Sequence, residues 1–193
     1  MAALLARFQK GRTMKAVRIL AGTLAAFATA APAVAGDARR EVERVPAEII
    51  RETRGAITMG EMHYFEEEYD EAMPHLVVAA ERGFKEAQSQ LGSIYLNGLG
   101  STEKDIVQAI GWLGVAASGE SRPGIVELYE NVMATIPEQH HATLNQVVEQ
   151  FRDAYDGNRT RVRCTFNRLE GSGRDALHCR FIDAAHYTEF SNN

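Results

Sequence analysis

The densest group of side chains able to do chemistry lies between Glu61 and His75. It contains Glu61, His63, Glu66, Glu67, Glu68, Asp70, Glu71 and His75. Metal sites need their ligands at defined spacings, and neither a zinc pattern nor the glycine-interrupted acidic alternation of a calcium loop occurs here. A run of acids just ahead of a helix has a simpler explanation, because the helix dipole favours negative charge at its N-terminus. His140 and His141 are adjacent, so on a helix they point about 100° apart and do not converge on one ion. No Gly-x-Ser-x-Gly, His-Glu-x-x-His or phosphate-cradling glycine loop is present. These residues predict no catalytic group, no metal and no cofactor.

The two cysteines, Cys164 and Cys179, sit where the hydrophobic period changes from helical to alternating. Thr160–Phe166 and Leu177–Phe181 both alternate polar and apolar residues around Gly171-Ser172-Gly173, which predicts a β-hairpin. Placing Cys164 opposite Cys179 puts Phe166 opposite Leu177 and Val162 opposite Phe181, so one face is wholly apolar. The other face then carries Arg161, Arg163, His178 and Arg180. A disulfide is expected across this pair, with two free thiols or an interchain bridge as the alternatives. A short helix from Asp183 to Phe190 is expected to pack Tyr187 and Phe190 on the hairpin.

The rest of the chain must position these groups, and its pattern is repetitive. Ala72, Ala79 and Ala80 recur 37 residues later as Ala109, Ala116 and Ala117, while Gly60 recurs as Gly92 after 32. Gly83 closes the first unit. Phe65 to Glu68 would be the turn inside it. In the second unit Ala109, Leu113 and Ala116 share one helical side, and small residues there let a neighbouring helix approach closely. Leu91, Ile94 and Tyr95 supply the opposing bulk. Gly98 and Gly100 are expected in left-handed backbone, and Asp105 is expected to cap the following helix. Trp112, the only tryptophan, should be largely buried against a neighbouring unit. Arg122–Tyr155 reads as a divergent third unit, with helices over Arg122–Ala134 and from Pro137 to Tyr155, the second presenting Leu144, Val147, Val148, Phe151 and Tyr155 on one face.

The string Ala87-x3-Leu91-Gly92-x2-Tyr95-x2-Gly98-x-Gly100, then Asp105-x3-Ala109-x2-Trp112-x3-Ala116-Ala117, resembles a Sel-one-like repeat, a relative of the tetratricopeptide helix pairs. The resemblance is closest over Ala87–Ala117, looser over Gly60–Gly83 and faint over Arg122–Tyr155. It implies an all-α, short right-handed α-solenoid of about three helix pairs, here with a small disulfide-linked C-terminal β-hairpin. It also implies a concave side that binds a protein or peptide, and no catalysis. First helices of each pair would line that side, with Tyr64, Tyr95, Asn97 and Tyr129 as candidate contacts. A different class of reading is a small periplasmic hydrolase or ligand-binding protein with its site near the hairpin. That site would use His140 or His141 with Arg161, Arg163, His178 or Arg180.

Five basic residues and no acid precede or enter the stretch to Ala35, and Ile19–Val34 is uncharged and apolar, ending in Ala33-Val34-Ala35. This is the layout of a secretory signal peptide cleaved near Ala35, with Met14 as a second candidate start and an uncleaved anchor as the alternative. The expected organisation is therefore a signal at 1–35, a leader with a short helix at 36–55, helical repeats at 56–156 and the hairpin with its tail at 157–193. Gly55 is expected to weaken any helix continuing across the second boundary. The formal charge of −5 becomes −10 after residue 35, from 16 basic and 26 acidic residues. That balance argues against nucleic acid and against an anionic membrane surface as partner. The expected location is periplasmic or secreted, without membrane insertion after cleavage.

Overall fold

The computed structural model describes residues 45–167 and 176–182, all within the second of two units, Glu41–Asn193. The expected signal at 1–35, the leader up to residue 44, the Gly171–Gly173 turn and the tail helix from Asp183 lie outside the described residues.

The described chain is mostly helical: α1 (Ala47–Phe65), α2 (Tyr69–Glu81), α3 (Lys85–Asn97), α4 (Ile106–Ala117), α5 (Pro123–Ala134) and α6 (His141–Tyr155). A 3-10 turn (Glu138–His140) leads into α6, and a single helical turn, α7 (Gly157–Thr160), leaves it. Strands β1 (Val162–Asn167) and β2 (Ala176–Phe181) close the order as an antiparallel hairpin. No described helix is long and apolar enough to cross a membrane.

The boundary expected at residues 55 and 56 is absent. α1 runs through Gly55, where an added Cβ would meet nothing within 4 Å. A solvent-facing glycine weakens a helix by only about 1 kcal/mol, and Thr53, Ala56 and Gly60 on the opposite side are buried.

Glycine governs how the helices meet. A Cβ on Gly60 would lie 2.9 Å from Leu76 Cδ2 and 3.2 Å from the Leu76 nitrogen. A Cβ on Gly92 would lie 2.7 Å from Leu113 Cγ and 3.2 Å from the Leu113 nitrogen. The same device, a glycine on one helix against a leucine and its backbone on the next, therefore joins α1 to α2 and α3 to α4. Ala72, Leu76, Ala79, Ala80, Ala87, Leu91 and Ile94 form the core around these contacts.

The third unit is built differently. At the offset that aligns Leu91 with Leu128, Tyr129 stands where Gly92 stands. A tyrosine there prevents the close approach of a following helix, and α6 packs mainly on α4 instead. α4 carries Gly111 and Gly114 for that contact: a Cβ on Gly111 would lie 2.5 Å from the Phe151 ring, and one on Gly114 would lie 2.5 Å from Val148 Cγ2. The expected apolar face of α6 is the one that faces inward, with Leu144 and Val148 buried. Trp112 is 5% exposed and packs edge-on to Phe151 and stacked on Tyr155, with centroids 5.0 and 4.8 Å away.

Turns and helix ends are closed by side chains. Gly98 and Gly100 have φ of +67° and +64°, as left-handed turn positions require. Asp105 Oδ1 accepts from the backbone nitrogens of Val107 and Gln108, capping α4. Asp70 accepts from the nitrogen and the hydroxyl of Ser101, tying the Gly98–Gly100 turn to the start of α2. Gln88, 1% exposed, donates to the carbonyls of Ala80 and Tyr155, joining the ends of α2 and α6.

Lys85 closes the end of α4. It is 8% exposed, and its ammonium donates to the carbonyls of Val115 at 3.3 Å, Ala116 at 3.1 Å and Ser118. Burial pulls its pKa down from 10.5 to about 8, opposed by the Asp156 charge and helped by that of Arg152. Between pH 8 and 10.5 the unfolded chain therefore binds more protons than the folded one, so stability rises with pH across that window. The expected gain is about 2 kcal/mol between pH 7 and 9.5. Urea unfolding at the two pH values measures it, and Lys85→Met should flatten the difference; an unchanged difference would remove Lys85 as its source.

The hairpin has the expected register: Val162 opposite Phe181, Cys164 opposite Cys179 and Phe166 opposite Leu177. The Cys164–Cys179 disulfide is formed. The apolar face is not free-standing. Val162, Cys164 and Phe181 are buried with Ile50 of α1, flanked by Ile49 and Phe84, and the Phe84 and Phe181 rings meet edge to face at 5.5 Å. The hairpin thus covers the N-terminal end of α1 rather than lying outside the helical body.

Candidate functional site

The site is a groove of about 440 Å³ between α1, α3 and α5. α1 contributes Glu61, Tyr64 and Phe65, all from its last two turns. α3 contributes Glu86, Ser89, Gln90 and Ser93, which recur at the i, i+3, i+4, i+7 positions of one helical face. The third wall is Arg122, just ahead of α5, with Gly124, Ile125 and Leu128. Each wall is thus the first helix of one of the units read from the sequence.

The walls are polar and unevenly satisfied. Arg122 Nη2 donates to Glu86 Oε2 at 3.0 Å. Glu61 makes no ion pair among the described residues. Burial raises its pKa above the ordinary carboxylate value, and the Glu86 charge raises it further. Ser89 and Gln90 are 7% and 8% exposed. Gln90 Oε1 is fully buried and accepts no hydrogen bond, the one such side-chain atom among the described residues. Leaving a buried acceptor unpaired costs on the order of 1–3 kcal/mol. Tyr64 is half-buried; desolvation raises the pKa of its phenol, Ser93 opposing by hydrogen bonding. Phe65 stands at the rim, 77% exposed.

The four contacts read from the sequence separate. Tyr64 lines the groove. Asn97 continues the Glu86–Ser93 stripe but lies beyond the groove, exposed, with its amide donating back to the Ser93 carbonyl at 2.9 Å. Tyr95 packs against the α1–α4 core. Tyr129 faces the other side of α5, in a second groove of about 440 Å³ lined by Gly114, Val148, Glu149 and Arg152. Glu61 was read with the acidic cluster and Arg122 as a helix start, and neither they nor Glu86 and Gln90 were read from the sequence as groove residues. The signal available was the polar stripe on α3, whose burial the sequence does not display.

The hairpin site does not assemble with the histidines. His140 and His141 stand at the start of α6, whose 15 residues span about 21 Å before the chain reaches the hairpin. His141 instead meets the Ile136 carbonyl at 2.9 Å. Arg163 lies directly opposite Arg180, exposed, on the basic face that the register requires.

The structure does bring His63, Glu66 and Glu68 together, with ligand atoms within 4.8 Å of one another. His63 Nδ1 lies 2.6 Å from Glu68 Oε2 and its ring stacks on His75 with centroids 6.2 Å apart. Both glutamates are exposed, and these contacts close the turn between α1 and α2, where Glu67 has φ of +62°.

No protein-family model matches the chain, and a comparison with curated proteins gives no match either.

Proposed function

We propose that this chain is an exported, non-enzymatic helical-repeat protein, similar to the Sel-one-like repeats, that holds a peptide segment of another protein in the groove between α1, α3 and α5. The observation that carries this reading is the groove's composition by helix: it is walled by the first helices of successive units, the side a helical-repeat array uses for its partners. The Gly60–Leu76 and Gly92–Leu113 contacts support a repeated helix pair. Two such pairs followed by a divergent α5 and α6 are consistent with a short right-handed solenoid closed by an atypical last unit. Export follows from the signal-like start and agrees with the disulfide. The reading makes the protein an envelope adaptor, with no cofactor.

A photo-reactive benzoylphenylalanine at Phe65, on the groove rim, tests this in intact cells against the same group at Glu138, away from it. Adducts are expected from position 65 and not from 138, and Ser93→Trp, which fills the groove, should abolish them. Equal adducts from both positions, or adducts that survive Ser93→Trp, would show that the groove is not where partners bind. Mass measurement of the exported form checks cleavage near Ala35.

A further inference from the structure

The outer face of the hairpin carries a charge pattern that works against its own folding. Arg163 and Arg180 stand directly opposite each other in the register, and both are exposed. The Ile182 nitrogen donates to the Arg161 carbonyl, and hydrogen-bonded pairs alternate along an antiparallel ladder. Arg163 and Arg180 are therefore such a pair, with Cα atoms about 5.5 Å apart. Like charges directly opposite destabilise a ladder. The Cys164–Cys179 bridge, one position along, prevents the strands from sliding and so keeps the two arginines opposite each other. His178 is two residues from Arg180 on the same exposed face, opposite Thr165.

Nothing among the described residues compensates this pair. Neither Arg163 nor Arg180 makes an ion pair there. The carboxylate that does reach the hairpin, Glu120, accepts from the Phe166 nitrogen at 3.0 Å. Charge on exposed strands discourages edge-to-edge aggregation, but charge of either sign does that. An arginine opposite a glutamate would serve the same end and stabilise the ladder as well. Acids are the commoner choice in this chain, 26 against 16 bases beyond residue 35.

We propose that this face binds a short acidic segment of a partner protein, whose carboxylates pair with Arg163 and Arg180. A guanidinium presents a planar fork of donors that matches a carboxylate. In an extended segment the side chains of residues i and i+2 share a face about 7 Å apart, so two acids at that spacing reach both arginines. The segment is short, because the −10 charge beyond residue 35 repels a long polyanion or an anionic bilayer, either of which would face far more of the surface than the hairpin. Binding also stabilises the hairpin, since the carboxylates cancel the repulsion that opposes the ladder. The hairpin packs on the N-terminal end of α1, whereas the groove is walled by the last two turns of that helix, so this inference does not rest on the groove reading.

The test uses the isotope-labelled, oxidised full chain and three probe peptides: acetyl-Ala-Glu-Ala-Glu-Ala-amide, and its glutamine and lysine counterparts. In titrations followed by amide NMR, the glutamate peptide is expected to shift Arg163, Thr165, His178 and Arg180, with both counterparts about tenfold weaker or more. Replacing both arginines, Arg163→Gln with Arg180→Gln, should weaken the glutamate peptide by a similar factor. That variant loses a like-charge pair, so its urea midpoint should not fall, and lost binding is then not lost folding. Equal binding of the glutamine peptide, glutamate binding that survives the double variant, or no shift in β1 and β2 would each overturn the proposal. If phosphatidylglycerol vesicles acted on these amides and the glutamate peptide did not, the occupant would be a membrane, and the acidic segment would be overturned. If the amides shifted on concentrating the chain alone, and Glu66→Gln with Glu68→Gln removed that shift, the occupant would be a second copy, and the partner segment would be overturned.

Discussion

Gly114→Ala is expected to destabilise the protein by about 1–3 kcal/mol, against the usual effect of replacing a helical glycine. Alanine is favoured over glycine within a helix by about 1 kcal/mol. Here the added methyl would lie 2.5 Å from Val148 Cγ2, 2.8 Å from Cγ1 and 3.2 Å from Cβ. Valine cannot yield by rotating, because a β-branched side chain in a helix has one strongly preferred χ1. The remaining response is to move α6 away from α4. That would loosen the Phe151 and Tyr155 rings from Trp112 and the Tyr155 carbonyl from Gln88. Val148→Ala removes the obstructing atoms, so the double variant should be more stable than the sum of the single changes predicts, by about 1 kcal/mol or more. Gly55→Ala is the internal control. Nothing lies within 4 Å of its added Cβ, and a gain of about 0.5–1 kcal/mol is expected. Urea unfolding of the four variants measures all of this. Additivity of the Gly114 and Val148 changes would mean that α6 is not held at this contact.

That α4–α6 contact marks the limit of what could be read from the amino acids. The pairing of α3 with α4 was legible because its glycine, alanine and leucine positions recur at a fixed offset elsewhere in the chain. Gly111 and Gly114 belong to no such recurrence. They serve a helix 30 to 40 residues downstream, and only the placement of Phe151 and Val148 shows why small residues stand there. The third unit was read as a divergent helix pair; both helices form, but Tyr129 stands where Gly92 does and α6 packs on α4. The place of Tyr129 could be counted from the sequence, but its consequence needed the path of α6. The hairpin register was fully legible, since period-two alternation leaves one arrangement in which Val162, Cys164 and Phe166 all meet apolar or cysteine partners. What the hairpin covers was not, because Ile49, Ile50 and Phe84 are ordinary apolar residues far away in the chain. The groove followed the same rule. It lies between α1, α3 and α5, and of the four side chains chosen only Tyr64 lines it. Aromatic and amide residues are conspicuous in a sequence; an unpaired glutamine oxygen and a desolvated glutamate become conspicuous only through burial.

The hairpin contact leads to the second large effect. Replacing Cys164 and Cys179 with alanine, or reducing them, should lower stability by about 3 kcal/mol, the chain-entropy value for a loop closed over 15 residues. The loss should not stay in the strands. A two-stranded hairpin is marginal alone, and in this one Arg163 faces Arg180, a like-charge pair that opposes the ladder. Its stability depends on the disulfide and on the apolar contact with α1. Once the bridge is gone, Val162 and Phe181 are held less firmly on Ile49, Ile50 and Phe84, and the N-terminal turns of α1 lose their cover. Pro46 provides no side-chain cap for those turns, and the Glu52–Arg82 pair that ties them to the end of α2 is solvent-exposed. Hydrogen exchange is therefore expected to rise over residues 47–54 on reduction, while α3 and α4, whose Leu91, Ile94, Ile110 and Leu113 are fully buried, keep their protection. Exchange confined to β1 and β2 would show that the hairpin does not support α1. Simultaneous loss of protection in α3 and α4 would show instead that the whole body unfolds with the hairpin as one cooperative unit.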